Sequence, residues 1–181
     1  MILSDGNILV RPLQLDDAQQ LFEAARESIR EMSPWLPWCH DNYAIEETRE
    51  YLAVRVNDKT EEEAYGFGIF DRSTRKFLGG VGLSSFVRAH RMANLGYWVR
   101  TSATKQGAAS KAARLVARFG FDQLGLQRIE ILVAVPNLAS QRVAEKIGAV
   151  REGVLRKRLL VRGVPQDAAV FSLIADDLKG A

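Results

Sequence analysis

The stretch Gly96-Tyr97-Trp98-Val99-Arg100-Thr101-Ser102-Ala103-Thr104-Lys105-Gln106-Gly107-Ala108-Ala109-Ser110-Lys111 decides how the chain is read. It begins as a strand ending in Tyr97-Trp98-Val99 and passes through Arg100–Thr104. A long helical pattern then runs from Gly107 to Leu124, with Ala112, Leu115, Val116, Phe119 and Leu124 on one face. The first N–H groups of a helix have no partner within it and carry the positive end of its dipole. Small residues at Gly107, Ala108, Ala109 and Ser110 let an anion approach those amides closely, and Lys105 adds a full charge beside Gln106. Lys105 to Ser110 is therefore a candidate pyrophosphate loop. It is neither the Gly-x4-Gly-Lys-Ser/Thr loop of nucleoside triphosphatases nor a three-glycine dinucleotide fingerprint. An ordinary glycine-bearing turn into a surface helix is the competing reading.

Working outward, Arg128–Val133 is a β-branched strand with Glu130 among apolar neighbours, and Pro136-Asn137 opens a short helix that stops at Gly148. Val150–Leu155 and Ala168–Ile174 read as two closing strands. On the other side, Ile8–Leu13 is a first strand. Asp16 and Asp17 then suit the start of a helix Ala18–Arg30, where Leu21, Phe22, Ala25 and Ile29 keep helical spacing. Met32 to Asn42 breaks that pattern and carries Pro34, Trp35, Pro37 and Trp38. A second helix covers Ile45–Asp58. Tyr65–Asp71 and Phe77–Ser85 form an expected hairpin around Arg72–Arg75, and Met92–Val99 follows. The order β α α β β β α β α β β describes a mixed α/β (α+β) chain, and no linker or repeat divides residues 1–181.

Composition narrows the function. Of 181 residues, 47% are hydrophobic and 26% charged, an ordinary soluble balance. No run approaches the roughly 18 apolar residues of a membrane span, and Met1–Gly6 lacks a basic segment followed by an apolar one. A lone Cys39 cannot form an internal disulfide, which fits a reducing cytoplasm. The net charge of +3 is densest from Arg151 to Arg162, with Arg156, Lys157, Arg158 and Arg162. Solvated strand ends, or attraction for a phosphate-rich cofactor or an acidic partner, both account for it. The run lacks interleaved aromatics, so a nucleic-acid partner is not expected. His40, His90 and Cys39 lack metal-ligand spacing, so no metal is expected. Cys39 also lacks a placed base, because His40 beside it points away on an extended segment.

After the strand Arg128–Val133 comes Asn137-x-x-Ser140-x5-Lys146-x-Gly148. This segment resembles the coenzyme-A-binding half of GNAT acetyltransferases, and more narrowly the Rim-type subfamily of ribosomal-protein serine or alanine N-terminal acetyltransferases. Arg11-Pro12-Leu13, Trp35-Leu36-Pro37-Trp38, Leu95-Gly96-Tyr97-Trp98-Val99 and Gly163 to Asp167 match further motifs of that subfamily, so the likeness covers nearly the whole chain. One departure stands at Thr104, where the family's phosphate loop begins with Gln or Arg; Lys105 or Arg100 is then the candidate to supply that side chain. Lys111 stands where many relatives carry Glu.

The resemblance implies a GNAT fold: a twisted, mostly antiparallel mixed sheet of about seven strands flanked by about four helices and splayed at a β-bulge. It implies acetyl-CoA as co-substrate and direct attack of an amine on the thioester. The Val99 amide would stabilise charge on the thioester oxygen, with Trp98 and Val99 beside the pantetheine arm. Ser140 would serve as general acid and Asn137 would hold the pantetheine, although both also suit simple helix capping. Glu130 is a candidate base, with an ion pair to Arg128, Arg142 or Lys146 as its alternative; Asp167 and Glu152 are other carboxylates. Trp35, Trp38 and Tyr97 would wall the acceptor pocket, or the two tryptophans would form a hydrophobic lid. The expected acceptor is a protein N-terminal amine, with a small-molecule amine second and a non-catalytic coenzyme-A-binding regulator third. A homodimer is common in the family.

Overall fold

The computed structural model describes residues 1–57 and 64–179. Eight strands form one sheet: β1 Leu3–Asp5, β2 Ile8–Pro12, β3 Ala64–Asp71, β4 Phe77–Val87, β5 Met92–Val99, β6 Arg128–Ala134, β7 Val150–Val161 and β8 Val164–Leu173. Their order is β1-β2-β3-β4-β5-β6-β8-β7. Every neighbouring pair is antiparallel except β5 and β6. The extra strand over the expected seven is β1, whose three residues are too few to show a period; it folds back through Gly6, which is left-handed at φ 57.

Among the described residues, five helices accompany the sheet: α1 Ala18–Glu27, α2 Ile29–Met32, α3 Ile45–Asn57, α4 Ala108–Asp122 and α5 Leu138–Lys146. The expected helix Ala18–Arg30 is interrupted at Ser28. Its buried hydroxyl donates to the Ala24 carbonyl at 2.7 Å and accepts the Thr101 N–H at 3.0 Å. Such a bond to the i−4 carbonyl competes with the helical ladder. Asp17 does not cap α1: its carboxylate takes Arg11 at 2.7 and 2.8 Å and the Gln14 N–H at 2.8 Å. Asp58, the expected end of the second helix, lies outside the described residues.

The sheet buries both faces. Val81, Leu83, Ala93, Leu95, Ile129 and Ile131 join Ala112, Ala113, Val116 and Phe119 of α4 in the larger core. Leu9, Phe70 and Phe77 join Leu21, Ala24 and Leu52 of α1 and α3 on the opposite face. Alternation along β5 therefore sends Leu95, Tyr97 and Val99 toward α4, and Trp98 toward α1 and α3.

Two departures from regularity shape the molecule. First, β5 and β6 pair only from Met92–Asn94 to Arg128–Glu130. Beyond that, β5 stays with β4 up to Val99 while β6 stays with β8 up to Ala134, so the sheet opens as a wedge. Register shifts lie in β3–β4 at Ile69/Phe70 and in β4–β5 between Ser84 and Val87. Second, β7 and β8 run on well past the expected Val150–Leu155 and Ala168–Ile174. They meet in a hairpin whose turn residues Arg162 and Gly163 are both left-handed, φ 50 and 76. A bulge between Leu155 and Leu159, with Lys157 at φ 51, breaks the alternation that a sequence reading follows.

Candidate active site

The wedge between β5 and β6 ends at the N-terminus of α4. Lys105 and Gly107 are left-handed, φ 61 and 81, and turn the chain so that Ala108, Ala109 and Ser110 begin the helix. The first helical bond here is Lys111 N–H to the Gly107 carbonyl at 3.0 Å, leaving the preceding amides without i−4 partners. These amides and the exposed Lys105 suit an anion at the mouth of the wedge. The neighbouring side chains serve the loop itself. Gln106 donates to the Ser102 carbonyl at 2.8 Å, Thr104 to Thr101 at 2.8 Å, and Ser110 to Gly107 at 3.0 Å. Lys111 reaches Asn7 Oδ1 at 3.2 Å instead of the loop.

Arg100 is not a phosphate ligand. It is 9% exposed, donates Nε to Glu27 Oε2 at 2.9 Å and Nη1 to the Phe77 carbonyl at 3.2 Å, and its Nη2 also bonds Glu27. Glu27 Oε1 in turn accepts the Ser102 N–H at 2.7 Å. The hydrogen bond from Arg100 is the main cause that holds the Glu27 carboxyl down at about 2. Thr101 adds a bond to Glu31 at 3.0 Å. Glu27 at the end of α1, Ser28 after it and Glu31 in α2 thus grip the loop, and none of them carries a motif; partners some seventy residues apart leave no local signal.

Along β5, the Arg100 N–H donates to the Leu78 carbonyl at 2.8 Å. Antiparallel bonding alternates, so Trp98 and Gly96 also face β4, while the amides of Val99 and Tyr97 point into the wedge. Sequence reasoning singled out the Val99 amide and missed that of Tyr97. Across the wedge, Asn137 caps α5: its Oδ1 accepts the Ser140 N–H at 3.1 Å. Ser140 meets Tyr97, whose hydroxyl donates to the Ser140 carbonyl at 2.9 Å, and Ser140 Oγ lies 3.3 Å from that hydroxyl. Burial pushes the Tyr97 hydroxyl up to about 12, so it keeps its proton. Tyr97 therefore belongs with Ser140 on the α4 side and is not part of a tryptophan-lined wall.

That wall lies on the opposite face. The Trp38 ring packs edge-on against Trp98 at 5.5 Å and Tyr43 at 5.7 Å, and Trp98 continues to Phe77 at 5.7 Å. The Trp98 side chain therefore lies on the α1 and α3 side of the sheet, and its backbone runs along the edge of the wedge. Trp35 is half-buried and takes no part in these ring contacts. Arg162, at the tip of the β7–β8 hairpin, donates to the Cys39 carbonyl at 3.2 Å and ties the hairpin to this loop. Cys39 is buried against the Ala25 carbonyl at 3.8 Å, and burial pushes its thiol up, which suits packing and not nucleophilic attack.

Glu130 is not brought to Ser140. It pairs with Arg128 at 3.0 and 3.2 Å, at the closed end of the wedge. Arg128 also holds Glu152, at 2.8 Å through Nη1, and with Ser172 it keeps the Glu152 carboxyl at about 2. Asp167 accepts the Lys157 N–H at 2.8 Å.

Residues 7–150 match the family described as Acetyltransferase (GNAT) domain. The "Probable N-acetyltransferase YjcK" of Bacillus subtilis (strain 168) is 33% identical over 180 residues, 97% of this chain and 98% of that protein. A structure from Vibrio cholerae, provisionally named a ribosomal-protein-serine acetyltransferase, is 31% identical with a TM-score of 0.85, over 96% of this chain and 97% of that one. At 20% identity the fold also matches RimL, a ribosomal L7/L12 alpha-N-protein acetyltransferase solved with coenzyme A. The TM-score there is 0.87 over 98% of this chain and 99% of that one. A wedge opened between two parallel strands, free amides along one side and a helix N-terminus at its mouth agree with these likenesses: the chain belongs to the GNAT acetyltransferases.

Proposed function

We propose that the chain acetylates the N-terminal amine of a protein, using acetyl-CoA held in the wedge between β5 and β6. The observation that carries this reading is the opposition of two free amides, Tyr97 and Val99, to the Ser140–Tyr97 hydroxyl pair. The pyrophosphate lies on the amides of Ala108–Ser110 beside Lys105, and the pantetheine takes the place β6 has left along β5. The amine nitrogen attacks the thioester carbon, and the wedge amides stabilise the resulting oxyanion. The carbon–sulfur bond breaks as the attacking nitrogen gives up its extra proton to water; the leaving thiolate takes a proton from Ser140, which regains one from water by way of the Tyr97 hydroxyl, giving an amide and free coenzyme A. Glu130 is already paired with Arg128, so the amine sheds its own proton to water or arrives neutral. A ribosomal-protein acceptor is supported by the name of the Vibrio cholerae relative.

The test is calorimetric titration with acetyl-CoA, followed by thiol-release assays on peptides with free N-termini, their N-acetylated counterparts, polyamines and amino acids. Saturable binding that needs the pantetheine arm, with thiol release for free peptide amines alone, is the expected outcome. Release only with polyamines or amino acids moves the acceptor to small molecules. Tight binding without transfer to any amine returns the chain to a regulatory role.

A further inference from the structure

The basic run Arg156-Lys157-Arg158 has no part in the chemistry above. It occupies the bulge in β7, which is pinned where the Lys157 main-chain N–H donates to the Asp167 carboxylate at 2.8 Å. All three side chains are exposed, and among the described residues none has an ion-pair or hydrogen-bond partner. They line, with Leu155, an open groove of about 600 Å³. Leu160 nearby is 67% exposed, so apolar and cationic surface alternate there.

Position picks the occupant. The hairpin is rooted where Leu155 pairs with Ala168 and Ala168 with Ala134, and the Val135 N–H donates to the Asp167 carbonyl at 3.0 Å. From Val135 the chain runs directly into Asn137 and Ser140. The hairpin tip rests on Cys39, beside Trp38. The cations thus stand midway along an arm that joins the two sides of the cleft. The order β6-β8-β7 puts the cations two strand spacings, roughly 10 Å, beyond β6, and Tyr97 lies on β5 across the wedge from β6, so at least about three extended residues separate the amine from them. A single amino acid or a polyamine end does not span that distance while presenting an anion.

Resting on the acetyl-transfer reading, we infer that the acceptor is an acidic peptide. Its N-terminal amine reaches Ser140 and Tyr97, and carboxylates about three to five residues downstream lie against Arg156, Lys157 and Arg158. The charge sequence of the acceptor, read by the arm, then selects among N-termini that share a first residue.

The test uses three peptides with a common N-terminus and Asp/Glu, Gln or Lys at positions three to five. Acetylation gives kcat/KM, and fluorescence anisotropy in the presence of coenzyme A gives affinity. The expected result is at least a tenfold preference for the acidic peptide in both, reduced by high salt. It falls toward unity in Arg156→Glu/Arg158→Glu and is retained in Arg156→Lys/Arg158→Lys. Equal use of acidic and neutral peptides, or a preference unchanged by charge reversal, overturns the inference. Transfer to small amines but to no peptide overturns it too and leaves acetyl transfer standing. Anisotropy that follows the charge variants, with no transfer to any amine, instead overturns the acetyl-transfer reading and the acceptor assignment with it.

Discussion

The two banks of the wedge are built differently. The bank at the α4 end is main chain held by buried polar struts: Arg100, Glu27 and Ser28 fix the loop whose amides face an anion. The bank at the hairpin end is exposed side chain: Trp38, at 38% exposure, and Arg156, Lys157 and Arg158 outside. A ligand common to a family needs the first kind of surface, because backbone amides survive substitution. An acceptor that differs between relatives is met by the second, where side chains change at little cost to the fold.

Breaking the strut should produce the largest effect. Arg100→Ala leaves Glu27 and the Phe77 carbonyl without their partner. Glu27's side chain is 29% exposed, which tempers the penalty of an orphaned buried charge to about 2–3 kcal/mol. In a chain of this size that lowers Tm by about 5–10 °C in a calorimetric scan. A pH series sharpens the assignment. Glu27 sits at about 2 when folded against an ordinary 4.5, so the unfolded chain takes up its proton first as pH falls. The pair's stabilisation is whole above about 4.5 and is lost as pH drops toward about 2. Glu27→Gln should remove that component, so its Tm should approach the parent's across this window; a constant gap would place the strut's contribution elsewhere.

Next comes the loop. Gly107 is left-handed at φ 81, and a Cβ there would meet nothing nearer than Ser110 Oγ at 3.9 Å, so strain alone decides the outcome. Gly107→Val costs about 1–3 kcal/mol in that conformation, enough to raise the coenzyme A dissociation constant about five- to a hundredfold by calorimetry. Gly107→Asn tolerates the same φ and should stay within about threefold. Equal loss in both would mean that the glycine's role is not conformational.

The same contrast explains what the sequence disclosed. The α4 loop, its left-handed glycine and the Asn137 cap are local, written within a dozen residues, and they stand where the pattern puts them. The strut is not local: Arg100 reads as a loop cation, yet its guanidinium is committed to α1. Ser28 sits in an unbroken helical pattern, and its hydroxyl bonds both the Ala24 carbonyl and the distant Thr101 amide where the helix breaks. The strand legible in sequence ends at Leu155, where Arg156, Lys157 and Arg158 mark a bulge in a strand that continues to Val161. Glu130 reads in sequence as a base or as an ion-pair partner, and the pair with Arg128 holds, since Arg128 stands two residues away on the same face.

At the meeting of the two banks, Ser140→Ala should lower kcat about fivefold with little change in coenzyme A affinity, because a serine hydroxyl is a weak acid helped by a neighbour. Tyr97→Phe should cost about as much. The double variant is the decisive measurement. If the hydroxyls act as one relay, its loss should match either single loss; independent roles would multiply them.

Trp38 should give the smallest effect and the clearest reading of the outer bank. Its ring lies edge-on to Trp98 and Tyr43 with 38% of its surface exposed, so Trp38→Ala removes a partly solvated contact and not a core one. Edge-to-face pairs contribute about 0.5–1.5 kcal/mol beyond burial, so a modest fall in Tm is expected in either case. The readings part in the kinetics. If Trp38 walls the acceptor, KM for the peptide should rise two- to fourfold, KM for acetyl-CoA should hold, and Trp38→Phe should recover most of the loss. If the tryptophan is a lid over Cys39 and Tyr43, Tm should fall while both KM values stay put, and phenylalanine should restore stability alone. The first pattern joins Trp38 to the basic arm as one acceptor surface; the second leaves Arg156, Lys157 and Arg158 to select the acceptor by charge without it.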